Sequence, residues 1–184
     1  QILWREKCCI RCGQCVENCP EQAIILKNRR VHTAERKCRL CGDCLAACPK
    51  NSREICGEQM ETDTVLTEVL KDRVFYRRSG GGITCSGGEP LAQPDFLSRL
   101  LRACKREKLH TVVDTCGYAP WESFERIMQL TDLFLYDLKL VDDLGHRKLT
   151  GVSNHLILDN LKRLSDRRAE VRIRIPVIPG ITDT

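Results

Sequence analysis

The chain has 184 residues, 42% of them hydrophobic, with thirteen cysteines and a net charge of +5. That length suits one or two domains, and no apolar run approaches the roughly 18 residues that a membrane span needs. Basic residues fall in scattered pairs (Arg29-Arg30, Arg77-Arg78, Arg167-Arg168) and aromatics are 5%, which argues against a nucleic-acid partner.

The first 60 residues hold most of the cysteines and read as a small domain that needs staples. Disulfides suit secreted proteins, and no secretory signal is visible. The stretch CCIRCGQCVENCP, residues 8–20, has two registers. Cys8, Cys12 and Cys15 spell C-x3-C-x2-C, while Cys9, Cys12, Cys15, Cys19 and Pro20 spell C-x2-C-x2-C-x3-C-P. A second copy, CRLCGDCLAACP, begins at Cys38, and there Lys37 stands where Cys8 would be. The repeat therefore favours the register that starts at Cys9.

Three thiolates in one tight loop suit an iron–sulfur cluster and hinder pairing among themselves. The double run has the pattern of a two-cluster bacterial ferredoxin, in which the fourth cysteine serves the other cluster. On that pattern Cys9, Cys12, Cys15 and Cys48 hold one 4Fe–4S cluster, and Cys38, Cys41, Cys44 and Cys19 hold the second. Zinc is the competing metal, but it has no use for the crossed fourth ligand. Gly13 and Gly42 are expected to let backbone approach the sulfides. Cys8, Cys56, Cys85, Cys104 and Cys116 are left over, and the expectation is small buried hydrophobes, above all for Cys85 and Cys104.

From about Thr62 apolar strands alternate with amphipathic helices. Val65, Leu66, Val69 and Leu70 share a helical face, with Thr62 or Thr64 as its cap. A strand near Ile83–Cys85 leads into SGGEP, and a helix over 93–108 follows. HTVVDTCG is a strand, PWESFERIMQL a helix with Pro120 in its first turn, and LFLYDLKL a buried strand. SNHLILDNLKRL is a helix capped by Ser153, and VRIRIPVI is the last strand. This alternation predicts a parallel α/β sheet. The helix before Ile83 is expected to follow a strand outside this chain, which leaves an unpaired sheet edge.

In parallel α/β folds ligands sit at the carboxyl ends of strands. Those ends read SGGEP, DTCG and DLK. Gly87 and Gly88 expose backbone there, and Glu89 offers an acceptor for an ammonium group. Each motif also has a plain reading: a turn for GGEP, a cap for Asp114, a surface pair for Asp137 and Lys139. In the last strand Arg172 and Arg174 alternate with Val171, Ile173 and Ile175. They are either barrel-facing arginines, with Asp137 or a ligand's carboxylate as partner, or residues of an exposed edge. His32, His110, His146 and His155 show no metal spacing and are read as surface or turn residues.

Taken in order, ILWREKCCIRCGQCVENCPEQAI, CRLCGDCLAACP, GGGITCSGGEPL, DTCGYAPW, LYDLKLVDDLGHRKLTGVSN and VRIRIPVIPGITD resemble the glycyl-radical-enzyme activating enzymes of the radical S-adenosylmethionine (SAM) superfamily. The likeness is to the subgroup, similar to pyruvate formate-lyase activating enzymes, that carries a two-cluster ferredoxin insert. It implies a partial parallel (βα) barrel over 61–184 and an α+β ferredoxin-like insert over 1–60. It implies that Gly87, Gly88 and Glu89 meet the methionine amino group of SAM. Asp137, Leu138 and Lys139 would line the site, Asp114 and Asp137 would hold a monovalent cation, and Arg174 is a further SAM contact.

In the family the cluster that cleaves SAM is held by C-x3-C-x2-C ahead of the insert, and here the insert begins almost at Gln1. The expectation is a fragment truncated at both ends, without that third 4Fe–4S cluster and inactive alone. The implied reaction is reductive cleavage of SAM to a 5′-deoxyadenosyl radical that takes a hydrogen from a glycine of a partner enzyme. The insert would relay electrons from a flavodoxin or ferredoxin, in the cytoplasm. The rivals are an iron–sulfur electron carrier and a radical SAM enzyme with another substrate. Pyruvate formate-lyase, a diol or glycerol dehydratase, a choline lyase and an arylacetate decarboxylase all stay open as partners.

Overall fold

The computed structural model describes residues 2–182. The chain divides into two compact units, Gln1–Gln59 and Met60–Thr184.

The first unit is built twice from one pattern. Strand β1 (Ile2–Trp4), the short helix α1 (Gln14–Glu17) and β2 (Ile24–Lys27) are followed by β3 (Arg30–Thr33), α2 (Asp43–Ala46) and β4 (Arg53–Ile55). β1 pairs antiparallel with β4, and β2 with β3. The cysteine repeat is thus a repeat of backbone. Arg11 and Leu40 both have φ near +60° (60° and 59°), and Gln22 and Asn51 match at 48° and 47°. Gly13 and Gly42 start the two helices at φ 84° and 90°, a left-handed conformation that favours glycine. Helices of one turn are marginal alone; here they stand over a core of Ile24, Val31 and Cys44, with Ile2, Trp4, Val16 and Leu45 packed against it. The β2–β3 hairpin is not foreseen from the sequence. Its turn puts Asn28 and Arg29 at φ 50° and 61°, the geometry a two-residue hairpin demands, without the usual glycine.

The second unit opens with α3 (Thr62–Leu70) and α4 (Arg73–Ser79). Four parallel strands then follow: β5 (Gly82–Cys85), β6 (His110–Thr115), β7 (Leu133–Asp137) and β8 (Val171–Arg174). They are ordered in the sheet as in the chain, which is how a barrel sector runs. The connections are α5 (Pro94–Arg106), α6 (Trp121–Ile127), and the pair α7 (Asp143–Thr150) and α8 (His155–Asp166). Strand alternation buries Val113, Phe134 and Tyr136 against Leu101, Phe124, Ile127 and Leu164. On the other flank Val65, Leu66, Val69 and Leu70 of α3 pack on Ile83, Leu100, Cys104 and Leu109. Cys104 is fully buried in that cluster and Cys85 partly so, and burial pushes the Cys85 thiol up to about 11.

Several local expectations shift. The N-cap of α3 is Glu61, not Thr62 or Thr64, and no side chain bonds there. Pro120 is itself the cap of α6. Asn154 occupies the cap of α8, and Ser153 instead donates to Asp143 (2.6 Å) while accepting from the His155 N–H. The last strand stops at Arg174, and the apolar residues beyond it are exposed. His146 is not a surface residue: it is 2% exposed, with Nδ1 at 2.8 Å from the Val152 carbonyl oxygen. Helix α7 has no apolar face, since Leu144 and Leu149 are exposed, so periodicity misses it. Its ends carry the signal: Asp142 accepts from the Gly145 N–H, and Gly151 closes it at φ 83°.

Candidate functional site

The repeat of the first unit presents its thiols in two groups. Cys9, Cys12, Cys15 and Cys48 line one cavity, together with Gly13 and Pro49. Cys19, Cys38, Cys41 and Cys44 line another, beside Gly42 and Ile24. In each, three cysteines come from one run and the fourth from the other. Cys8 lies on a turn at Glu6–Cys8, is exposed, and is not among the lining residues. Among the described residues no three His, Cys, Asp or Glu converge on the position of a single metal ion; the thiols of each group stand around a space. Four soft ligands around an apolar-walled space fit a 4Fe–4S cluster.

The hydrogen bonds to the two crossing cysteines repeat and then differ. Ala23 N–H donates to Cys19 Sγ at 3.3 Å, and Ser52 N–H donates to Cys48 Sγ at the same distance. Ser52 adds its hydroxyl, 3.2 Å from Cys48 Sγ. Burial pushes the Cys48 thiol up, but the Ser52 hydroxyl and N–H, with the Lys50 and Arg53 backbone, outweigh it and leave it below its ordinary value. Cys9 is likewise lowered: against burial act the Trp4 indole, the Arg11 backbone and Ser52. Cys15 is raised by burial, against the opposing charge of Arg53. Neither Trp4 nor Arg53 stands out in a linear reading. Aligning the two repeats beyond their cysteines would have exposed both.

In the second unit the strand ends form a rim. Gly87 and Gly88 follow β5, exposed, and a Cβ at either would meet no atom of the chain within 4 Å. Space is free there for a ligand to approach backbone. Glu89 is turned inward instead. Oε1 accepts from the Thr115 hydroxyl (2.7 Å) and the Leu91 N–H (3.2 Å), and Oε2 from the Cys116 N–H (3.0 Å). Its carboxylate ties the β5 loop to the β6 loop. Thr115, unremarked in the sequence, is the partner that holds it.

Asp114 is on β6 and accepts from the Ser86 hydroxyl at 3.3 Å. Asp137 ends β7 and accepts from Arg174 Nε at 2.8 Å. Arg174 Nη2 reaches both Asp137 (2.7 Å) and Asp114, so the guanidinium already stands between the two carboxylates assigned to a monovalent cation. The paired carboxylates, Asp137 first, push the Arg174 pKa further up. Leu138 is buried, its N–H bonded to the Arg174 carbonyl (2.9 Å), and Lys139 is exposed. Arg172 is exposed on the sheet edge.

A parallel barrel sector with a glycine-rich loop and carboxylates on its rim, in one chain with a twofold cysteine module, defines an iron–sulfur protein of the radical SAM type. A family model described as the radical SAM superfamily matches residues 25–184, and one for a 4Fe-4S binding domain matches residues 2–25. The chain belongs to the radical SAM superfamily. It is 47% identical over 182 residues to the trans-4-hydroxy-L-proline dehydratase activating enzyme of Clostridioides difficile, covering 98% of this chain and 60% of that protein. It is 43% identical to the choline trimethylamine-lyase activating enzyme of Oleidesulfovibrio alaskensis, covering 100% of this chain and 60% of that protein. Among solved structures, a domain of a pyruvate-formate lyase-activating enzyme from Bacteroides vulgatus superposes with a TM-score of 0.52 at 40% identity, over 55% of this chain and 63% of that one. The chain thus spans about 60% of the length of the curated relatives it matches.

Proposed function

We propose that this chain is part of a glycyl-radical-enzyme activating enzyme, contributing its electron-relay unit and part of its SAM site. The observation that carries the reading is the crossed assembly of thiols. Cys9, Cys12, Cys15 and Cys48 hold one 4Fe–4S cluster and Cys38, Cys41, Cys44 and Cys19 the other. When bound, such clusters supply single low-potential electrons. The chain's own groups keep the sites dry and set their charge: Ile24, Val31 and Val16 exclude water, and Ser52 and the backbone donate to sulfur.

On the rim, Gly87 and Gly88 take the amino end of SAM on their backbone, while Glu89 fixes the loop that presents it. Asp137, Leu138, Lys139 and Arg174 line the rest. A free SAM carboxylate competes with Asp114 and Asp137 for the Arg174 guanidinium. In the longer enzyme the product of SAM cleavage removes hydrogen from a glycine of the partner. The relatives' names give a dehydratase and a lyase as what those proteins activate; the partner in this reading is a glycyl radical enzyme, and a reduced flavodoxin or ferredoxin in the cytoplasm serves as donor.

Anaerobic reconstitution of the chain tests the first half. About eight irons per chain are expected, from two four-iron clusters. A plateau at about four, or near twelve, overturns the ligand sets. In the longer enzyme, Cys44→Ser should slow activation by the protein donor. Unchanged activation with that donor would sink the relay.

A further inference from the structure

The two halves of the first unit share a backbone but not a charge. Trp4 pairs in register with Arg53 across β1 and β4, and at the equivalent place Thr33 pairs with Ile24 across β3 and β2. A cation and an indole on one side thus face a threonine and an isoleucine on the other. Arg53 is 3% exposed. Nη2 donates to the neutral Thr33 hydroxyl at 2.6 Å, while Nε and Nη1 find no hydrogen-bond partner. A buried guanidinium so poorly satisfied is costly unless an anion compensates it. Ile24, its counterpart, is equally buried and carries no charge.

The anion is close at hand. Arg53 follows Ser52, which lines the cavity of Cys9, Cys12, Cys15 and Cys48. Ile24, the residue that answers Arg53 in the repeat, lines the twin cavity, so Arg53 occupies the corresponding position beside this one. Two further donors fall on the same side. The Ser52 hydroxyl meets Cys48, where the other half has Ala23. The Trp4 indole N–H is buried without a partner in ordinary geometry and bears on Cys9. A four-thiolate cluster is net negative, and more so when reduced. Net charge and hydrogen bonds to sulfur set its potential, so each of these groups favours the reduced form.

We infer that Arg53 makes the two cluster sites unequal: its buried guanidinium raises the reduction potential of the site formed by Cys9, Cys12, Cys15 and Cys48 above that of its twin. This rests on the two-cluster reading. Arg53 is a positioning residue for charge, not a ligand. The twin built on Cys38, Cys41, Cys44 and Cys19 keeps the lower potential because the one cation that lines its cavity, Arg39, is paired with Glu21 (3.0 Å), and the buried Ile24 stands where the other half has Arg53. An electron shared between the two sites then resides on the Arg53 side.

The test is a redox titration of the anaerobically reconstituted chain, followed by electron paramagnetic resonance, with iron assayed first. An iron count that fails to reach about eight strikes the two-cluster reading itself. With the full count, two separated waves are expected. Cys12→Ser identifies its own wave, because one altered ligand moves its own cluster most. Arg53→Met should shift the upper wave by at least tenfold in its one-electron equilibrium, about 59 mV, and close most of the gap. Thr33→Val, which removes the hydrogen bond and keeps the charge, should preserve the gap, as should Arg53→Lys. Coincident waves in the unaltered chain, or Arg53→Met moving both waves alike or neither, overturn the inference. Should Arg53→Met fail to load both clusters, Arg53→Gln takes its place as the neutral variant: full iron with the gap closed upholds it, and full iron with the gap retained overturns it.

Discussion

Arg174, the last residue of β8, reaches past the neighbouring strand to pair with Asp114 on β6. With Asp137 between them, three parallel strands are clasped at their carboxyl ends by one guanidinium. Arg174→Met leaves two carboxylates facing each other. The side chain is 43% exposed, so solvent screening limits the cost to about 1 kcal/mol in thermal melts. Sodium or potassium should then stabilise the variant more than the unaltered chain at equal ionic strength. Equal responses would mean that the carboxylate pair is no cation site even when vacated.

Gly117 follows β6 at φ 77°, and a Cβ there would lie 1.9 Å from Tyr136 Oη. Tyr136 is fully buried and donates to the Ile157 carbonyl (2.7 Å), while Asn160 braces the Gly117 carbonyl (2.9 Å). Gly117→Ala should lower stability by about 1–3 kcal/mol from overpacking, with about 1 kcal/mol more for the left-handed backbone. In a Tyr136→Leu background the penalty should shrink, because the ring atoms that a Cβ would meet (Oη at 1.9 Å, Cζ at 2.3 Å, Cε1 at 2.8 Å) are gone. A denaturant-based double-mutant cycle with no coupling would refute the contact.

Asp143 accepts from the Ser153 hydroxyl, the Asn154 N–H and Arg147, which together hold its carboxyl down at about 2. Its folded value lies below the ordinary 3.8, so its contribution is present above about pH 4 and lost as pH falls through about 2. Asp143→Asn should flatten the acid limb of the stability curve and leave its shape at neutral pH unchanged. An acid limb as steep in the variant as in the unaltered chain would contradict this.

The register of the first cysteine run can be read chemically. Cys8→Ser should leave iron content at the unaltered level, whereas Cys9→Ser should cost about one four-iron cluster. Alkylation of the loaded chain should mark exposed Cys8 and spare the buried Cys104. Iron loss in the Cys8 variant would restore the C-x3-C-x2-C register.

Much of this was legible in one dimension because it is periodic. The cysteine repeat, the strands around Val113 and Phe134, and the apolar faces of α3 and α5 follow from spacings that local backbone geometry imposes. The β2–β3 hairpin and α7 escaped because neither advertises an apolar period. The former is a four-residue strand pair closed by Asn28 and Arg29, and the latter is held by its caps. In the sequence Glu89 reads as a free acceptor, but the Leu91 N–H two residues on takes part of its carboxylate. Its other partners, Thr115 and Cys116, lie on the adjacent strand end.

By itself, the sequence determined the thiols, their grouping in two runs, and the parallel α/β character of the rest. These depend on residue type and on distance along the chain. Tertiary structure alone decided that Arg174 occupies the gap between Asp114 and Asp137, and that Arg53 is sealed in while Ile24 answers it on the other half. Burial and charge pairing are set by what folds against a residue, and a guanidinium's effect depends on how far water is kept from it.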